Sequence, residues 1–107
     1  GGIGLAYRLA LLAHQAGLRS IVTTTLDSGV GVAAALHLAA CLSPPLSACG
    51  LATAALLGSD LLARSIELAG GSLVLPEDLG LGVTLCEATV ARYTGPFRGE
   101  VGLDGPA

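Results

Sequence analysis

The stretch SIVTTTLDSGVGVAAALHLA, Ser20 to Ala39, decides the fold. Its first part, Ile21-Val22-Thr23-Thr24-Thr25, is β-branched throughout, the pattern of a strand buried on both faces, as in a parallel sheet. Asp27 and Ser28 then offer N-cap side chains, and Gly29 to Leu42 continues as a helix. Strand, short turn and helix in that order is one β-α unit.

The same grammar extends on both sides. Upstream, Ile3 to Ala16 carries Leu5, Leu9, Leu12 and Ala16 at helical spacing, and Gly17 stops that helix. Downstream, Ser43-Pro44-Pro45 ends the second helix, Ser47 to Leu51 reads as a short strand, and Thr53 to Leu62 as a third helix. Helix, strand, helix, strand, helix over residues 1–65 predicts an α/β architecture with a parallel sheet. From 66 to 86 the pattern changes. Gly70-Gly71 is a turn, Ser72 to Leu75 is extended and stopped by Pro76, and Leu79 to Leu85 is a glycine-broken extended run. These read as a return segment across a neighbouring surface. Residues 87–107 show no period and are expected to be a loosely ordered tail.

Composition narrows the function. Of 107 residues, 52% are hydrophobic and 12% charged, with a formal net charge of −3. Such a chain buries most of itself. Its basic residues, Arg8, Arg19, Arg64, Arg92 and Arg98, are scattered and there is no Lys, which excludes a nucleic-acid surface. The chain has no Met and opens Gly1-Gly2, and its apolar content is high for its size; the expectation is a piece of a longer polypeptide. Between Asp27 and Asp60 no charged side chain occurs, yet Pro44-Pro45 cut that stretch and no basic flank or aromatic belt accompanies it, so no membrane span is expected. Cys41, Cys49 and Cys86 are odd in number and form no C-x-x-C pair, which fits the cytoplasm and neither a disulfide framework nor a zinc site. His14, at a helix end, and His37, on an Ala-rich helix, lack metal-ligand spacing. No metal ligand is assigned.

Two chemistries compete at the strand-to-helix junction. Gly29-Val30-Gly31-Val32-Ala33-Ala34 matches G-x-G-x-x-A in the context of a dinucleotide site, but the acid that such a site needs about 20 residues on is absent from Ser47-Ala48-Cys49-Gly50-Leu51. The same helix start, with the amides of Ser28, Gly29 and Val30, could cradle a carboxylate. Asp27 places a negative charge alongside, and its simpler role is to cap the helix.

The run Ile21 to Ala40, followed by Ala48-Cys49-Gly50-Leu51-Ala52-Thr53 and then Gly80-Leu81-Gly82-Val83, resembles the C-terminal part of o-succinylbenzoate synthases of the enolase superfamily, in the muconate-lactonizing-like branch. The likeness covers about Gly1 to Leu85. It departs at Cys86, where related chains often carry an acid, and does not extend into the tail. The resemblance implies the C-terminal portion of a (β/α) TIM-type barrel, from its sixth helix to its eighth strand and helix, with the return segment leading to a capping domain. It implies a Mg2+-dependent dehydratase of menaquinone or phylloquinone biosynthesis, with catalytic lysines and metal carboxylates on strands outside this chain. Thr25, Asp27, Ser28, Gly29, Gly50 and Leu51 would then line the substrate carboxylate's side of the site, at the strand ends where barrel enzymes place their chemistry. No catalytic residue falls within the chain, which is expected to be inactive alone and to need the remainder of the barrel and the cap as partners. A racemase, epimerase or cycloisomerase of the same superfamily is the first alternative, and a nucleotide-binding module on Gly29-Val30-Gly31 the second.

Overall fold

The fold was read from a computed structural model, which describes residues 1–42 and 48–96. Helix α1 spans Gly2–Gln15 and α2 spans Gly29–Cys41, within two residues of the expected bounds. Gly17 ends α1 as the sequence implied: at φ +72° it lets its own N–H reach the His14 carbonyl (2.9 Å) and the Leu18 N–H reach that of Ala13 (2.8 Å). A side chain would resist that left-handed conformation.

Helix α2 is the centre of the molecule. Val32, Ala33 and Ala39 are buried with Leu51 and Leu62, and together these make the apolar core among the described residues. Small apolar residues surround the helix on every face, so it can be covered from several sides at once. Helix α1 packs on it, a 3-10 helix at Ala52–Leu56 packs on another face, and His37 Nε2 donates to the Leu81 carbonyl at 3.1 Å. Helix α1, in contrast, has no buried residue; Leu9 is 56% exposed and Leu12 60%.

Between α1 and α2 the chain is extended, and it pairs in parallel with the segment before the 3-10 helix through a bridge at Thr23 and Gly50. The Thr24 N–H donates to the Gly50 carbonyl and the Gly50 N–H to that of Val22, each at 3.0 Å. The parallel pairing expected of the two strands is therefore present, but as one bridge rather than two full strands. Burial on both faces is not found: Ile21 is 60% exposed. A β-branched run supplies the conformation, but a ladder also needs neighbours along both edges. Ser43 to Ser47, including Pro44-Pro45 and the start of the second expected strand, lies outside the described residues.

The expected helix from Thr53 to Leu62 is replaced by the short 3-10 helix Ala52–Leu56, after which the chain turns. Gly58-Ser59-Asp60 breaks the run, and the backbone at Leu61 to Ala63 is committed elsewhere. Leu62 pairs antiparallel with Leu85, with the Ala63 N–H on the Thr84 carbonyl and the Cys86 N–H on that of Leu61, both at 2.8 Å.

The segment 66–86 is a hairpin followed by this returning bridge. Strand β1 (Leu68–Ala69) pairs antiparallel with β2 (Ser72–Leu73) across Gly70-Gly71, whose φ angles of +57° and +82° suit a two-residue hairpin turn. The tail is more ordered at its start than its lack of periodicity suggested: Glu87–Tyr93 forms α3. Residues 97–107 are outside the described part. No described helix is long and apolar enough to cross a membrane.

Candidate functional site

The parallel bridge brings the ends of two extended segments to one side of the molecule, where each turns into the element that follows. From the first come Thr24, Thr25, Asp27, Ser28 and Gly29; from the second, Gly50, Leu51 and Thr53. The two turns are joined by hydroxyls. Thr24 Oγ1 donates to the Gly50 carbonyl at 3.3 Å and lies 2.7 Å from Thr53 Oγ1. With the single proton of Thr24 directed at the carbonyl, Thr53 is the donor to Thr24.

The expected cap of α2 is not formed by Asp27 or Ser28. Asp27 folds back over its own turn, its Oδ2 accepting the Thr25 N–H at 3.1 Å. Ser28 occupies the N-cap position with extended backbone, but its hydroxyl makes no bond to the helix. The carboxylate that serves the helix start is Asp60, whose Oδ1 accepts the Gly29 N–H and the Leu61 N–H, each at 2.7 Å. A negative group at a helix N-terminus satisfies an orphan donor and opposes the helix dipole favourably.

The two glycines of the G-x-G pattern are explained by these acids. Gly29 is buried, and a Cβ there would collide with Asp60 and Leu62; a Cβ on Gly31 would lie 2.9 Å from the Asp27 Cβ. Asp27 and Asp60 thus flank the helix start. A pyrophosphate would meet two carboxylates and would find the Gly29 amide engaged, so the geometry does not carry the nucleotide-binding alternative.

Of the residues expected to line a substrate wall, Thr25 and Asp27 are exposed and bonded to each other, and Gly50 is exposed beside Thr24. Ser28 is half-buried and its hydroxyl makes no cap bond, Gly29 is buried under Asp60, and Leu51, 5% exposed, belongs to the core beneath them. Sequence reasoning missed Thr53 and Asp60. Asp60 left a signal, as the acid in the Gly-Ser-Asp break of an apolar run, but no rule of spacing connects it to a helix start 31 positions earlier. Below the helix start lies a cavity of about 180 Å3 bordered by Gly29, Val32, Ala52, Ala55, Asp60 and Leu73. Among the described residues no three His, Cys, Asp or Glu side chains converge to hold a metal ion.

Residues 1–89 match the enolase C-terminal domain-like family. The chain is 39% identical over 94 residues to a chloromuconate cycloisomerase of Pseudomonas sp. (strain P51) and 38% identical over the same length to one of Delftia acidovorans; each alignment covers 88% of this chain and 25% of the relative. In structure it is similar to the muconate lactonizing enzyme from Klebsiella pneumoniae, with a TM-score of 0.74 and 32% identity, over 81% of this chain and 24% of that one. The chain thus spans about a quarter of the length of the relatives it matches.

Proposed function

The chain belongs to the enolase C-terminal domain-like family, and we propose that it forms the closing part of a TIM-type barrel, carrying one wall of a site for a small carboxylate substrate. The observation that carries this reading is the parallel pairing of Thr23 with Gly50, because it sets two strand ends and their following turns side by side, the arrangement from which barrel enzymes build active sites. In the proposal, Thr25, Asp27, Ser28 and Gly50 face the substrate from the strand ends. Gly29 and Leu51 act from beneath, Gly29 by leaving room for Asp60 and Leu51 by packing. The partners are the remainder of the barrel and a capping domain, against which the exposed apolar face of α1 would pack. The cytoplasm is the proposed compartment.

The chemistry proposed is proton abstraction next to a carboxylate, with the bases and the metal ligands on other strands. Enolase-superfamily enzymes generally use Mg2+. The described residues offer no cluster that would hold it, and no step of the reaction is assigned to them through the metal. What they contribute is binding and orientation. The finer reading, from the ordered runs Ile21 to Ala40, Ala48 to Thr53 and Gly80 to Val83, is dehydration to o-succinylbenzoate. A second reading, cycloisomerisation of a muconate-type dicarboxylate, is favoured by the relatives' activity at 39% and 38% identity.

Assay of the intact polypeptide with both substrates decides between the two. Turnover of the succinyl-hydroxycyclohexadiene carboxylate with Mg2+ supports the first, and lactone formation from a muconate the second. Activity on neither, in a folded protein, removes both.

A further inference from the structure

Helix α3 runs past the residues that match the family, which end at 89, and carries Arg92 in its last turn. The Tyr93 hydroxyl lies 2.6 Å from Ser59 Oγ. That bond fixes the end of α3 against the same turn that delivers Asp60 to Gly29. The Arg92 guanidinium carbon stands 5.5 Å from the centroid of the Tyr93 ring, and among the described residues Arg92 has no carboxylate partner. Ser28, Leu57, Ser59, Leu61, Arg92 and Tyr93 border one open groove of about 570 Å3.

The donors on this groove can be counted. The Ser59–Tyr93 pair holds two hydroxyl protons and uses one between its members, which leaves the other free to donate. The Ser28 hydroxyl makes no bond to the helix it precedes. Arg92 presents its fork of N–H groups, and its partner among the described residues is the aromatic face of Tyr93. Among the described residues the one acid on the groove is Asp60, whose Oδ1 is occupied by two backbone amides, one of them at a helix start, which offsets part of its charge.

We propose that this groove binds a small carboxylate with an apolar stem. Arg92 grips the carboxylate with its planar fork, Ser28 and the Ser59–Tyr93 pair donate hydroxyls, and Leu57 and Leu61 cover the stem. Apart from Ser28, these residues are outside the wall assigned to the barrel site, so the inference goes beyond that function.

The test is titration of the intact polypeptide with butyrate, following the Arg92 Nε–Hε resonance and the heat of binding, with butyramide and inorganic phosphate as comparisons. Butyrate is expected to bind and to move that resonance, and butyramide to do neither. Arg92→Gln should weaken butyrate roughly tenfold to a hundredfold, the loss of a charge-assisted contact. Tyr93→Phe, which keeps the ring, should weaken it less. Unchanged affinity in Arg92→Gln with an unchanged circular dichroism spectrum overturns the proposal, as does equal binding of butyramide. Phosphate binding tighter than butyrate overturns the carboxylate assignment. If Arg92→Gln does not fold, the unmutated protein still decides, because a stationary Arg92 resonance at saturation rejects the site. No turnover is measured, so failure of the barrel reading leaves this result standing.

Discussion

The Asp60 carboxylate accepts the backbone N–H of Gly29 at 2.7 Å, across 31 positions of sequence. One oxygen thereby ties the turn after the second extended segment to the start of the helix after the first. Asp60→Ala leaves the Gly29 and Leu61 amides without their acceptor and should cost about 1–3 kcal/mol. Asp60→Asn keeps an oxygen in place and loses mainly the charge at the helix start, about 0.3–1 kcal/mol. Thermal melts of the two variants check the order; equal losses would mean that charge, not the hydrogen bond, is what matters.

Ser28→Ala should change stability by no more than about 0.5 kcal/mol, because the hydroxyl makes no cap bond. A loss of about 1 kcal/mol, typical of a real cap, would contradict the geometry. Under the proposed function, a rise in KM without that loss, measured in the intact polypeptide, would support contact between this turn and the substrate.

Gly29→Val is expected to act on folding before it acts on binding. A side chain there collides with Asp60 and Leu62, and overpacking of this kind costs about 1–3 kcal/mol. The melting temperature should fall together with any change in KM. A variant that melts like the parent would show that Asp60 and Leu62 can move aside.

The Thr24–Thr53 pair gives a conservative comparison. Thr53→Val removes the donor and should cost about 0.5–1.5 kcal/mol, whereas Thr53→Ser retains the hydroxyl and should cost less. Chemical denaturation resolves the difference.

At Cys86 the Thr89 side chain hydrogen-bonds the thiol, joined by backbone N–H groups, and holds its pKa below the ordinary thiol value. A lowered thiol pKa means that thiolate is present at lower pH, so alkylation of Cys86 should accelerate at a lower pH than that of an unperturbed cysteine. Thr89→Val removes the main donor and should move the profile to higher pH. Profiles that coincide would show that the bond is not kept in solution.

Local order was largely legible. The apolar spacing of Leu5, Leu9 and Leu12, the stop at Gly17 and the small-residue run after Gly29 each depend on neighbours within a few positions, and α1 and α2 follow them closely. The resemblance to the enolase superfamily came from ordered runs in the same way, and the family match agrees with it at that level. Periodicity alone registers neither a competing turn nor a helix of two turns, which is why the expected third helix and the start of the tail differ from the structure. Gly58-Ser59-Asp60 ends one apolar run early, and Glu87–Tyr93 is helical over too short a length for its pattern to be seen.

By itself, then, the sequence determined where the backbone is helical or extended at the junction from Ser20 to Ala39, and that two such segments lie in parallel order. Only the tertiary structure decided which group meets the start of α2. Asp27 and Ser28 are adjacent to it and suit a cap by residue type, yet Asp27 is bound to the Thr25 amide and Asp60 arrives from the far turn. A hydrogen bond between distant residues depends on where the intervening chain is packed. Here that is set by the Thr23–Gly50 and Leu62–Leu85 bridges, which hold the two turns within reach of each other.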